Sequence, residues 1–159
     1  MDKLKGLSDD KIQKFNEDTV KEIAARTLAK IIARTPVGEY GDKLVEFTTK
    51  DGKEVSFTAH SNKVGGTLRR GWTGGKDVDP YTFIMNNSEV IKKGRTYTII
   101  ISNNVFYAPY VEYGHRTTNG TGWVEGSFMM TISEDEMQEE LTTILEKKLN
   151  DFLGEYFNE

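Results

Sequence analysis

Near the start of the chain apolar side chains recur every three to four residues: Ile12, Phe15, Thr19 and Val20, Ile23, Leu28 and Ile31. That spacing lays one stripe along a 3.6-residue helix. Ser8, Asp9 or Asp10 can cap its start by accepting backbone N–H bonds. Pro36 stops it, because the residue before a proline is pushed out of the helical region. The pattern predicts a helix over 9–34. A second stripe, Met137, Leu141, Ile144, Leu145, Leu149, Phe152, Leu153 and Tyr156, predicts a long C-terminal helix. Ser133-Glu134-Asp135-Glu136 has the form of a capping box, with Ile132 and Met137 placed as a hydrophobic staple. Its three acids suit the positive end of a helix dipole.

Between the helices the period changes to two. Residues 43–49 and 54–60 alternate around Lys50-Asp51-Gly52-Lys53, and Asp-Gly is a hairpin signal because glycine accepts positive φ. These two strands are expected to bury one face. Residues 61–79, with Gly65-Gly66 and Gly74-Gly75, read as a loop in which Leu68 and Trp72 dock locally. Residues 95–102 read as a strand, Tyr97, Ile99 and Ile101 on one face and Thr96, Thr98, Ile100 and Ser102 on the other. A further strand is expected near 82–85. Asn103-Asn104 turns the chain, Pro109 can open a short helix through Tyr113, and Gly114 ends it. Strands cluster between helices rather than alternating with them. The fold class expected is α+β, long N- and C-terminal helices packed on a small, mainly antiparallel sheet.

At 159 residues one domain spanning the whole chain is expected, with residues 1–8 disordered. With no cysteine, disulfides, thiolate metal sites and cysteine nucleophiles are excluded. Met1-Asp2-Lys3-Leu4-Lys5 has no apolar stretch behind it, so an export signal is not expected. Ile99-Ile100-Ile101 falls far short of a membrane span, so no membrane partner is expected. The net charge of −4 is uneven: from Ser133 onward nine acids face two lysines, a balance of −7 that leaves +3 on the rest. One acidic and one mildly basic face would suit head-to-tail packing of identical subunits, although Glu-rich surface helices are also common.

Catalytic and cofactor chemistry finds little support. Glu112 and His115 form one Glu-x-x-His, interrupted by Gly114. A single pair cannot fill the three or four positions that zinc takes, and bonding to loop backbone or orienting Arg116 is the plainer role. No serine sits in Gly-x-Ser-x-Gly. None of the glycine-rich stretches at 65–66, 71–75 and 120–122 has a nucleotide-loop pattern. Catalytic, metal and cofactor sites are therefore not expected. Leu68-Arg69-Arg70-Gly71-Trp72 mixes basic and aromatic residues as single-strand binders do, but a sequence pI near 5.3 opposes a dominant phosphate-binding role.

The densest signal lies at Tyr107-Ala108-Pro109-Tyr110-Val111-Glu112-Tyr113-Gly114-His115-Arg116-Thr117, followed by Trp123-Val124-Glu125-Gly126-Ser127-Phe128-Met129-Met130. Thr118-Asn119-Gly120-Thr121-Gly122 lies between them and has almost no capacity to pack. Tyr107, Tyr110 and Val111 are expected to pack on the last helix. Aromatics with polar tips are enriched at interfaces, so the candidate interface residues are Tyr113, His115, Arg116, Thr117, Thr118, Asn119 and Trp123, with Arg69 and Arg70.

These two blocks resemble the tail-completion (head–tail joining) family of tailed bacteriophages and prophages. Ala33-Arg34-Thr35-Pro36-Val37 and Gly66-Thr67-Leu68-Arg69-Arg70-Gly71-Trp72 also fit, separated here by an insertion from Gly38 to Gly65. The resemblance spans about residues 20–150 and is most specific in the second half. It implies a virion protein of the tail or neck, assembled in the bacterial host cytoplasm. It would form a homo-oligomeric ring, a hexamer, at the head-proximal end of the tail, touching the tail tube or terminator and the head connector or collar, with incidental contact to DNA in the lumen. It also implies a last helix starting nearer Phe128 than the capping box does. In that setting the segments 114–122 and 61–79 would order when neighbouring rings dock. A small DNA- or protein-binding module outside any phage, and an enzyme of unknown type, are the competing readings.

Overall fold

The computed structural model describes residues 8–158. Residues 1–7 of the segment expected to be disordered lie outside them. Helix α1 runs Asp9–Arg34, and the Ser8 side chain accepts from the Lys11 N–H at its start. At the other end Thr35 leaves helical geometry at ψ 118, as the residue before Pro36 must. Strands β1 (Lys43–Thr48) and β2 (Glu54–Ala59) pair antiparallel, with Val45 opposite Phe57 and Phe47 opposite Val55.

Two segments differ from the sequence expectation. The loop over 61–79 contains a helix, α2 (Thr67–Gly71), and the strand expected near 82–85 is helix α3 (Pro80–Asn87). Local end chemistry explains α3. Asp79 caps it by accepting from the Thr82 N–H at 2.9 Å, and Pro80 occupies the first turn, where its missing N–H costs nothing. Hydrogen bonding from the Thr82 side chain, and then from its N–H, holds the Asp79 carboxyl below its usual pKa.

Strands β3 (Ile91–Lys93) and β4 (Thr96–Thr98) form a second ribbon, shorter than the strand expected over 95–102. Beyond Thr98 the predicted alternation holds without pairing: Ile99 and Ile101 pack on the core while Ile100 faces water. Helix α4 (Ala108–Tyr113) ends at Gly114. Strands β5 (Gly114–Arg116) and β6 (Trp123–Glu125) form a third ribbon, and α5 (Met129–Asn158) closes the described chain. The architecture is α+β. Its strands make three separate two-stranded ribbons rather than one sheet.

The long helices pair antiparallel. Phe15 stacks on Phe152 with ring centroids 4.5 Å apart, Glu22 meets Lys148, Lys30 bridges Glu136 and Glu140, and Arg34 meets Glu136. Ala24, Ala25, Leu28 and Ile31 of α1 form the centre of the core with Leu68, Trp72, Ile84, Ala108 and Met129. Of the stripe expected on α5, Met137 is buried, whereas Leu145 and Leu149 on its flank stay exposed.

The end of α1 is a junction. The buried Thr35 hydroxyl donates to the Ile31 carbonyl at 2.7 Å and accepts from Trp72 Nε1 at 2.8 Å. The Arg69 guanidinium donates twice to the Thr35 carbonyl, at 3.2 and 2.8 Å, placing a cation at the negative end of the helix dipole. The β1–β2 ribbon, by contrast, leaves this body as an arm. Among the described residues no other helix or strand packs substantially against it. Its neck is narrow: a Cβ on Gly65 would lie 2.1 Å from the Gly38 carbonyl oxygen.

The pairs joining α1 to α5 make stability depend on pH. Hydrogen bonds from Lys148 and Arg26 lower the Glu22 pKa, and those from Lys30 and Arg34 lower that of Glu136. A lowered carboxylate pKa contributes stability above the unfolded value of about 4.3, lost as pH falls through the folded value. Glu140 and Glu136 raise the Lys30 pKa, a contribution present below about 10.4 and lost as pH rises past the folded value. Melting temperatures read by circular dichroism should therefore fall below about pH 4. A Glu22→Gln, Glu136→Gln double variant should show a lower neutral plateau and a shallower acid limb; an unchanged acid limb would show that these pairs contribute nothing.

Candidate functional site

The strongest local signal of the sequence, 107–130, folds into one unit: α4, the β5–β6 ribbon and the first turn of α5. Its centre is Glu112, a carboxylate only 4% exposed. Oε2 accepts from the Met130 N–H at 2.9 Å, and Oε1 from the Thr131 N–H at 3.0 Å and the Thr131 hydroxyl at 2.7 Å. An α-helix leaves its first N–H groups unpaired and carries partial positive charge there. Glu112 supplies the missing acceptor from another element. It is a helix cap and is fully engaged as one, which leaves no lone Glu-x-x-His metal pair. Among the described residues no group of three or more His, Cys, Asp or Glu side chains is arranged to hold a metal ion.

The capping box at Ser133 is not the start of α5. Ser133 lies one turn inside it, buried, donating to the Met129 carbonyl at 2.6 Å and accepting from Arg34 at 3.3 Å. The start nearer Phe128 is the one observed. Phe128 itself takes φ 47, a left-handed conformation costly for a residue with a side chain. The Ser127 N–H donates to the Val111 carbonyl at 2.7 Å and the Phe128 N–H to that of Glu112 at 3.1 Å, so the end of α4 fixes the entry to α5.

Two glycines let the ribbon lie against α4. A Cβ on Gly126 would stand 2.2 Å from the Glu112 carbonyl oxygen, and one on Gly114 2.5 Å from that of Val124. The Trp123 ring also closes over Gly114, where a Cβ would meet it at 2.9 Å. The segment 118–122, expected to have almost no capacity to pack, closes on Thr117: Thr117 and Gly122 bond each other through backbone and hydroxyl, and Asn119 accepts from the Thr117 hydroxyl at 2.6 Å.

On this frame stands a shelf of aromatic side chains. Tyr113 is 63% exposed and Trp123 55%. Tyr110, expected to pack inward, is exposed as well, its ring edge-on to His115 at 6.2 Å. Tyr107 and Val111 do pack on the core. Phe106 is 85% exposed, its ring edge-on to Tyr107. Tyr113, His115, Arg116, Thr117, Thr118, Asn119 and Trp123 thus sit on the end of α4 and the ribbon that follows it, with Arg116 and Trp123 on one face and His115 on the other. Arg69 and Arg70 do not join them. Arg69 holds the end of α1, and Arg70 donates to the Gly65 carbonyl at 3.2 Å at the neck of the arm. Trp72 is buried, so the Arg-Arg-x-Trp segment offers no free ring for a base to stack on.

The fold and this surface define an α+β scaffold that displays aromatic side chains on short, tightly bonded elements. A family model described as "Bacteriophage HK97-gp10, putative tail-component" matches residues 1–114, and the chain belongs to this HK97-gp10-like family of bacteriophage tail components. The match takes in both long pieces of the first half and ends at Gly114, inside the aromatic block, so the second block lies beyond it. No curated protein and no solved structure matches the chain. Membership places the protein among virion components, and no described helix is long and apolar enough to cross a membrane.

Two substitutions test this construction. Glu112→Ala should lower stability by about 1–3 kcal/mol, because it strands the donors at the start of α5. Gly126→Ala should cost more than Glu112→Gln, since its Cβ has nowhere to go. Chemical denaturation of the purified variants measures both, and a Gly126→Ala variant as stable as wild type would contradict the close approach.

Proposed function

We propose that the protein is a structural subunit of the head-proximal end of a phage tail or phage-tail-like particle. Copies form a closed ring, a hexamer, that completes the tail and joins it to the head connector or collar. Its work is assembly, not catalysis. The observation that carries this reading is the aromatic shelf: Tyr110, Tyr113 and Trp123 stand in water on a frame whose hydrogen bonds and glycine contacts hold them in place. Exposed aromatic clusters on a rigid support are what protein interfaces use as anchors. Membership of a tail-component family supports a partner within the virion.

The subunit is made in the host cytoplasm and ends in the tail or neck, where the ring meets the tail tube or its terminator on one side and the connector or collar on the other. DNA crossing the lumen would touch it only in passing. Tyr113, His115, Arg116, Thr117, Thr118, Asn119 and Trp123 form the contact surface. Arg69 and Arg70 serve it indirectly, by fixing the end of α1 and the neck of the arm.

Replacing Tyr113→Ser and Arg116→Glu together should leave the melting temperature within a few degrees of wild type, because both side chains are exposed. Infected or induced cells carrying the double variant should accumulate tails and heads that are not joined, visible by negative-stain electron microscopy. Complete particles in normal yield would refute the assignment.

A further inference from the structure

The β1–β2 arm stands outside the frame just described, yet one of its two faces is apolar. Its register puts Val45, Phe47, Val55, Phe57 and Ala59 on one face. Among the described residues no other helix or strand packs substantially on that face; Val45, Val55 and Ala59 are half-buried, and Phe47 and Phe57 remain 51% and 49% exposed. A two-stranded ribbon is marginal in water unless its apolar face is packed. The sequence alternation predicted such packing, and the folded subunit does not supply it.

We propose that the arm docks on a second copy of this chain, its Phe47–Phe57 face lying on the neighbour's aromatic shelf around Tyr113 and Trp123. Area favours this occupant. With an aromatic side chain presenting roughly 200 Å2, the two phenylalanines leave about 200 Å2 in water, and the arm with its flanks on the order of 500 Å2. Tyr113 and Trp123 leave on the order of 250 Å2 in water, matching the two phenylalanines. A stable contact takes about 800 Å2 from each partner, so these side chains supply the apolar centre and the polar residues of the two ribbons the rim.

The arm's apolar face carries Lys43 at its root and no acid; on the shelf face Arg116 lies opposite Trp123 and Glu125 beside it, so Glu125 is the group that can receive Lys43. Two different patches on one chain, each needing cover, make a head-to-tail contact, and such contacts close into rings when the rotation allows. The arm's neck, where Gly65 passes against Gly38, joins it to the body by two narrow strands of chain. The inference supplies the subunit contact for the ring proposed above, but it requires only self-association.

The test places photoreactive p-benzoylphenylalanine at position 47 in the full chain, with light and heavy isotope-labelled copies mixed before irradiation. Adducts joining a light arm to a heavy peptide within 106–128 are expected. Light–heavy adducts elsewhere, adducts within one copy only, adducts solely to another virion protein, or none at all, would overturn it. In parallel, Phe47→Ser with Phe57→Ser should weaken self-association at least tenfold by sedimentation while leaving the melting temperature unchanged. Unaltered association, or loss of the fold, would count against the arm. Rings seen in micrographs without these adducts would remove the arm's role and leave the ring standing; the adducts without rings would do the reverse.

Discussion

The placement of every exposed side chain at the candidate surface depends on one carboxylate. Glu112 holds its carboxyl group nearly out of water, a position that is costly unless partners replace the solvent. The partners are two backbone N–H groups and a hydroxyl at the first turn of α5, together with the helix dipole behind them. Because the donors belong to one element and the acceptor to another, satisfying that group also fixes the angle between α4 and α5. The ribbon after α4 then has one place to run. Gly114 and Gly126 let it pass against the α4 carbonyls, and Tyr113 and Trp123 emerge on its outer side. At the other end of the core the Thr35 hydroxyl acts similarly, tying α1 to Trp72.

Much of this frame was legible in the sequence where the information is local. The first helix follows from its stripe, its serine cap and Pro36, the first hairpin from Asp-Gly, and the end of α4 from Gly114. The errors arose where a distant residue decides the outcome. Ser133 with Glu136 has the form of a cap, yet the first turn of α5 is already satisfied from Glu112, so the helix begins a turn earlier and Ser133 is left to bond the Met129 carbonyl. The segment 82–85 is the exception, where the deciding signal was local: Phe83-Ile84-Met85 suits a strand, but Asp79 and Pro80 just before it start a helix. Arg69 looked free because nothing nearby in sequence is its partner; the acceptor is a carbonyl 34 positions away.

The candidate surface was partly legible for the same reason. Tyr113 and Trp123 could be named because aromatic residues next to glycine-rich, polar chain rarely find cover. Tyr110 could not be separated from Tyr107 and Val111 by spacing alone, since which side of a six-residue helix meets the core is set by tertiary contacts. The arm was recognised as a hairpin and misjudged as a buried one. Alternation says that one face is apolar, not what lies against it. The glycines at its neck, Gly38 and Gly65, were the available hint that it stands clear of the body.

The α1–α5 pairing carries a consequence for how such a subunit can respond to its neighbours. Cationic and anionic side chains meet at successive levels along the two helices, from Glu22 with Lys148 to Arg34 with Glu136. Sliding one helix past the other by a turn, about 5.4 Å, would part Glu22 from Lys148 and Arg34 from Glu136, while Lys30, which spans Glu136 and Glu140, would keep one acid. The two rods therefore behave as a single locked strut. Any adjustment made when parts meet must be absorbed by the ribbons and their glycine necks, while the spacing between the two ends of the subunit stays constant.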